Sequence, residues 1–408
     1  MTASRKGMFI TMKLRRIIAV ILCAAIFAAA LAGCEEAVDE GEETLPDETP
    51  LVETASPIVD PVPPTQSSGA ASHNHDIDYD AAFAAFSPDT IMINAGEYSV
   101  TWAELYFHIR SSINSLLQTF GDIHNWSEIV YGGMTYADAV LEYASESALL
   151  FKALEYGAAL TGAALTDADI EMITEDFMST AEMLGGEEEY LMLLWAMEGI
   201  SSREFLFYLM STSFLANAIF TELYGANGEL VSDEDAAEYT MFDGYMMAKH
   251  ILRRLPEEGE DTALAEIEEI LNRLDSYAGD DFEAFFDDLM YEYTEDVDGL
   301  AMFPNGYLFQ YGDMVPEFYD TCLALEIGEY SGIVVTTYGY HLLYRLPINF
   351  DEIPSYYYRQ YELTPLRYIV AMEMFDSALY GWNDSLSPGY TAEYESIDLA
   401  VIFDVGAD

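Results

Sequence analysis

The chain has 408 residues, more than one compact core needs, and half of them are apolar, so two globular units can each bury a core. Its formal charge is −58, from 73 acids against 15 Lys and Arg. Five of those bases (Arg5, Lys6, Lys13, Arg15, Arg16) precede Gly33 and every acid follows it, so the remainder carries −63, which repels phosphate and excludes nucleic-acid binding.

Residues 1–33 read as an export signal: a basic start, the apolar run Ile17–Cys23, and an alanine-rich stretch to Ala32, too short for a comfortable membrane span. The stretch closes on Leu31-Ala32-Gly33-Cys34, which resembles a bacterial lipobox. That resemblance implies cleavage before Cys34, acylation of its thiol and new N-terminus, and anchoring on the extracytoplasmic face of the membrane. An ordinary signal peptide with a chance cysteine is the competing reading. With Cys23 removed and Cys34 acylated, only Cys322 remains, so no intramolecular disulfide can form. Cys322 falls on an amphipathic segment and reads as a small buried residue rather than a nucleophile.

Residues 34–80 form an acidic tether without Lys or Arg, with Pro61-Val62-Pro63-Pro64 and Ser67-Ser68-Gly69, and they cannot bury enough apolar surface to order. His73 and His75 lack a second anchored pair of ligands and read as solvated linker; no metal is expected.

Folded structure is expected from near Asp89, within a helical domain spanning 81–244. A short β-type run, Thr90–Asn94, precedes helices over Thr101–Phe120, Tyr136–Leu160, Thr166–Leu184, Glu187–Glu198 and Ser201–Tyr224, each with apolar residues at three- and four-residue steps. Thr166 with Asp169, and Ser201 with Glu204, have capping-box spacing. A small mixed α/β domain follows over 245–346. Its strands are expected at Tyr245–Leu252, Ile333–Thr337 and His341–Leu346, its helices at Thr262–Tyr277, Asp281–Leu289 and Val315–Leu325. Residues 347–408 return to helix over Ser355–Trp382 and end in an alternating run near Ile397–Phe403, a helix and strand expected to pack back on the first domain, making 245–346 an insert.

The chemistry-bearing motifs lie in that insert. Lys249-His250-Ile251-Leu252 is followed by Gly312-Asp313-Met314-Val315-Pro316-Glu317-Phe318, by Leu325-Glu326-Ile327-Gly328-Glu329-Tyr330-Ser331, and by Gly339-Tyr340-His341. In this order and spacing the blocks resemble the parvulin family of peptidyl-prolyl isomerases. With the lipobox and the flanking helices, the whole is similar to PrsA-like foldase lipoproteins, which share the SurA-like chaperone plan. The resemblance implies an α+β fold: a mainly helical chaperone domain with an inserted, FKBP-like parvulin domain.

It also implies roles. His250 and His341 match the paired strand histidines, Asp296 the position of a family Cys or Asp, and Thr336 the hydroxyl that bonds the pair, a polar floor of His250, Asp296, Thr336 and His341. Met314 and Phe318 match the walls of the proline pocket, with Leu308 expected beside them. Two departures stand out: Tyr307-Leu308-Phe309 replaces the common Asp-Leu-Gly, and the loop Val297–Phe303 differs from the usual Gly/Ser-rich stretch.

The implied activity is cis–trans isomerisation of X–Pro bonds in exported proteins, with unfolded polypeptides as partners and no cofactor. A holdase with a weak or inactive parvulin domain is the alternative. A solute-binding lipoprotein would share the anchor and the acidity but needs two large α/β lobes.

Overall fold

The computed structural model describes residues 77–403 except 122, 124, 132, 241–242, 256–261 and 360–362. The expected export signal, Cys34, and the tether as far as residue 76, His73 and His75 included, lie outside the described residues. The described residues form two compact units. Those up to Ala159, Leu165–Leu215 and those from Trp382 onward contribute to one, Leu160–Ala164 and Ala216–Gly381 to the other.

In the first unit, structure begins before Asp89, with helix α1 (Tyr79–Phe83), whose first turn is capped by the Asp78 carboxylate. Its sequence has no long apolar stripe. Phe83 and the following Phe86 hold the segment by packing edge-on against Tyr106, Trp195 and Trp102. Strand β1 (Ile91–Asn94) pairs antiparallel with β2 (Val100–Thr101) and, on its other edge, with β9 (Gly389–Tyr390), so segments from both ends of the described chain share one sheet. Helix α2 (Trp102–Phe120) opens on a Thr101–Glu104 capping box and buries Trp102, Leu105, Ile109 and Ile113 along one stripe.

A hairpin of β3 (Ile129–Tyr131) and β4 (Met134–Thr135) leads into α3 (Tyr136–Thr161). There the Lys152 ammonium is buried between Glu104 and Glu155 at 2.7 and 2.9 Å, the pairing that a desolvated charge requires. Helices α4 (Asp167–Met183), α5 (Glu187–Glu198) and α6 (Arg203–Tyr224) follow, with the expected Thr166–Asp169 capping box on α4. The cap of α6 is Ser202, which accepts the Phe205 N–H at 3.1 Å, in place of the expected Ser201.

The C-terminal region departs further from expectation. The helix expected over Ser355–Trp382 is two, α12 (Ser355–Arg359) and α13 (Leu366–Leu386). Pro365 lies between them; it disfavours helical backbone at Thr364 and lacks an N–H of its own. The alternating run near Ile397–Phe403 is no strand. It follows α14 (Ala392–Glu395) and forms α15 (Leu399–Ile402), started by the Asp398 carboxylate accepting the Val401 N–H at 3.3 Å. Beyond it Phe403 is buried and stacked on Tyr106.

The second unit holds α7 (Asp233–Thr240) and a four-stranded antiparallel sheet of order β6-β5-β8-β7: β6 (Tyr307–Phe309), β5 (Met246–Arg254), β8 (Gly339–Leu346) and β7 (Val334–Thr336). Side chains alternate across the sheet. One face carries Lys249 and Tyr344 against helices α8 (Ala263–Asp275) and α9 (Phe282–Tyr293); Lys249 reaches Glu283 at 2.8 Å and Tyr344 packs on Phe282 and Phe286. The other carries Met246, Ala248 and Leu343 against Phe318, Tyr319 and Cys322 of α11 (Pro316–Ala324), which starts with proline where no N–H is needed. The architecture is mostly helical, with its largest sheet, of four strands, in the second unit.

Candidate active site

Antiparallel partners share a face, so the register Leu252↔His341 and His250↔Leu343 sets both histidines on the α11 side of the sheet. The β7–β8 turn fixes the second histidine's position. Gly339 has φ +144, and a Cβ there would collide with the Arg253 carbonyl, so only glycine lets the hairpin close against β5. Asp296 arrives from the start of α10 (Val297–Met302); the segment Val297–Phe303, expected as loop, is largely this short helix, with Asp296 at its N-cap position.

These elements bring together four of the expected residues in one hydrogen-bonded row. His250 Nε2 lies 2.8 Å from Asp296 Oδ2, the two histidine Nδ1 atoms are 3.1 Å apart, and His341 Nε2 is 2.8 Å from the Thr336 hydroxyl. Thr336 Oγ1 also accepts the Tyr338 backbone N–H at 3.1 Å. Both histidines and Thr336 are buried.

The electrostatics give the row a direction. The hydrogen bond from His250 holds the Asp296 carboxyl at about 2, overcoming the opposing effect of burial, and Tyr307 adds a second donor. Burial, with the charges of His250 and Arg254, lowers His341 to about 3, so its ring is neutral, although Asp296 pulls the other way. An ionised carboxylate only accepts, so His250 Nε2 donates to it. One arrangement then uses every proton: Thr336 O–H donates to His341 Nε2, and His341 Nδ1–H donates to His250 Nδ1. All dipoles point toward Asp296. These proton assignments follow from the bonding pattern.

The apolar residues divide. Met314 is half-buried and packs against the cluster that includes Phe309, Phe318 and Leu343. Phe318 is only 3 % exposed, its ring edge-on to both histidines, so it braces them more than it lines an open wall. Leu308 is misplaced by the sequence reading. It pairs with Met247 and is fully buried on the far face of the sheet, one residue out of phase with the site. Its neighbours Tyr307 and Phe309 take the near face.

Tyr307 is the residue that sequence reasoning missed. Its hydroxyl donates to Asp296 Oδ2 at 2.6 Å and its ring stands at 88° to His250, with Phe303 packed behind it. The signal available was its place in the Tyr307-Leu308-Phe309 departure, three residues wide beside the motif. Cys322 is fully buried and its thiol is pushed up to about 12 by that burial, with Arg345 opposing, which removes it as a nucleophile.

Residues 250–346 match the family model described as the rotamase, PPIC-type PPIASE domain. The foldase protein PrsA of Halalkalibacterium halodurans is 40% identical over 130 residues, 30% of this chain and 34% of that one. The foldase protein PrsA of Caldanaerobacter subterraneus is 28% identical over 282 residues, 66% of this chain and 78% of that one. The chain thus spans about a third of the first relative's length and over three quarters of the second's. The crystal structure of PrsA from Bacillus subtilis aligns over 78% of this chain and 98% of its own at 19% identity, with a TM-score of 0.23, too low to add weight. Residues 250–346 thus match a PPIC-type peptidyl-prolyl isomerase domain, in a chain similar to the PrsA foldases.

Proposed function

We propose that this chain is an extracytoplasmic foldase whose residues 250–346 speed rotation about X–Pro bonds while its helical unit holds unfolded exported polypeptides. The observation that carries the reading is the unbroken row from Tyr338 N–H through Thr336, His341 and His250 to Asp296. Rotation about an X–Pro bond must break amide resonance, a barrier of about 20 kcal/mol, but no covalent bond need form. A twisting amide loses charge from its carbonyl oxygen and gains basicity at nitrogen. A fixed, largely desolvated row of dipoles presents the same field throughout, and needs no rearrangement as that charge moves. In this role Asp296, His250, His341 and Thr336 set the field, Phe318 braces the two histidines, and Met314 contributes the apolar surface for the proline ring.

The lipobox reading extends the proposal to location. Residues 1–33 would be removed, Cys34 acylated, and residues 34–80 would tether the folded units to the outer face of the membrane. Intact labelling with a radioactive fatty acid, lost in Cys34→Ser, tests this.

The enzymatic reading is tested with the chain from Glu35 to Asp408, which keeps every described residue, in a refolding reaction limited by one X–Pro isomerisation. Acceleration at catalytic concentrations, lost in folded His250→Ala and Asp296→Asn, supports the enzyme. Absence of acceleration, with aggregation still suppressed, leaves a holdase carrying an inactive isomerase domain.

A further inference from the structure

Helices α4 and α5 carry apolar surface that no described residue covers. The sequence of α5 is Glu-Glu-Glu-Tyr-Leu-Met-Leu-Leu-Trp-Ala-Met-Glu, yet none of its residues is buried. Its inner side, Tyr190, Leu191 and Leu194, leans on the cluster of Phe107, Phe177 and Leu206. Its outer side leaves Met192, Leu193 and Met197 exposed by 59, 41 and 59%, and Met178 and Met183 of α4 are exposed by 53 and 69%. A helix apolar on both sides is ordinarily enclosed.

Two concavities indent this surface. One, of about 580 Å³, is bordered by Leu191, Met192, Trp195 and Ile200; the other, of about 540 Å³, by Met178 and Ala181; Glu187 borders both. The floor is held in place. The Arg110 guanidinium donates to the carbonyls of Trp195 and Ala196 at 2.7 and 2.8 Å, and the Trp195 indole N–H donates to Asp80 at 2.7 Å. The segment that forms this face carries charge of one sign. Residues 161–202 contain ten Asp and Glu and no Lys, Arg or His, and the next cation, Arg203, is engaged by Glu187.

We propose that this methionine-lined, acid-rimmed face docks cationic amphipathic segments of unfolded polypeptide. The inference rests on the foldase reading and adds the place and the selectivity. Methionine side chains are unbranched and polarizable, so they mould to many apolar partners. The carboxylate rim attracts Lys and Arg beside those apolar residues and repels acidic segments, which gives selection by charge over a permissive floor. Exposed apolar surface ringed by polar groups is the usual mark of such a docking site.

The test is calorimetric titration of the chain from Glu35 to Asp408 with an amphipathic helical peptide of leucine and lysine, and with its leucine–glutamate counterpart. The expected result is binding of the lysine peptide only, weakening about tenfold or more between low salt and about 0.5 M. Met192→Gln combined with Met197→Gln weakens it by about tenfold, with isomerase activity on a short proline peptide unchanged. Equal affinity for the glutamate peptide, salt-independent binding, or no effect of the double substitution overturns the proposal. Self-association that the double substitution abolishes, without peptide binding, assigns the face to a second copy and also overturns it. If peptide binding fails while isomerisation and suppression of aggregation persist, only this surface is refuted; loss of those two activities refutes the foldase reading itself.

Discussion

His250 and His341 meet nitrogen to nitrogen, with Nδ1 atoms 3.1 Å apart and ring planes inclined by 18°. Two like atoms share one proton, so the pair alone has no preferred direction. The ends impose one: a backbone N–H at Thr336 and an ionised carboxylate at Asp296.

Asp296→Asn removes the charged end while keeping the shape. A hydrogen bond to a charged group contributes about 1.5–3 kcal/mol, so the catalysed rate should fall about 10- to 100-fold. Isomerisation of a short proline peptide measures it, with circular dichroism to confirm the fold. A rate within twofold of wild type would show that the carboxylate does not set the field.

Tyr307→Phe deletes one hydroxyl and keeps the ring against His250. Asp296 then loses a donor that helps hold its carboxyl at about 2, so its protonation should move to higher pH. The carboxyl ¹³C shift of Asp296, followed through acid titration, reports this. A midpoint unchanged from wild type contradicts the role assigned to Tyr307.

Acid should destabilise the protein in two windows. His341 and the fully buried His108 are each lowered to about 3, both chiefly by burial. Between about 6.5 and 3 the unfolded chain binds the extra protons, so stability falls as pH drops, by up to about 1.4 kcal/mol per pH unit for each histidine. Asp296 adds a loss between about 3.8 and 2, where the unfolded carboxyl is protonated first. Urea midpoints at pH 7.5, 6 and 5 test the first window, and His341→Phe should about halve its slope, leaving the His108 contribution.

Cys322 should resist iodoacetamide in the native protein at pH 8 and react quickly in urea, because the thiolate is both buried and disfavoured. Native labelling at the rate of a free thiol would mean that α11 opens readily.

Much of the site was legible because its motifs are local. The Gly339-Tyr340-His341 block encodes a turn that only glycine permits, and the block Gly312–Phe318 encodes the start of a proline-led helix. Leu308 was misplaced because Tyr307-Leu308-Phe309 is apolar throughout, and a run without alternation does not announce its phase. The helix at Leu399–Ile402 was misread as strand for a similar reason. Over so few residues the two periods are indistinguishable, and the Asp398 cap decides.

The sequence by itself determined the charge, the helical periodicities and the identities of the two histidines, because each is a property of composition or of neighbours a few residues apart. Only the tertiary structure decided the direction of the Asp296–His250–His341–Thr336 row, the part played by Tyr307, the bracing position of Phe318 and the bare methionines of α5. Those depend on strand register and on which surface remains uncovered, and hydrogen bonds between residues tens of positions apart exist only once the sheet has closed.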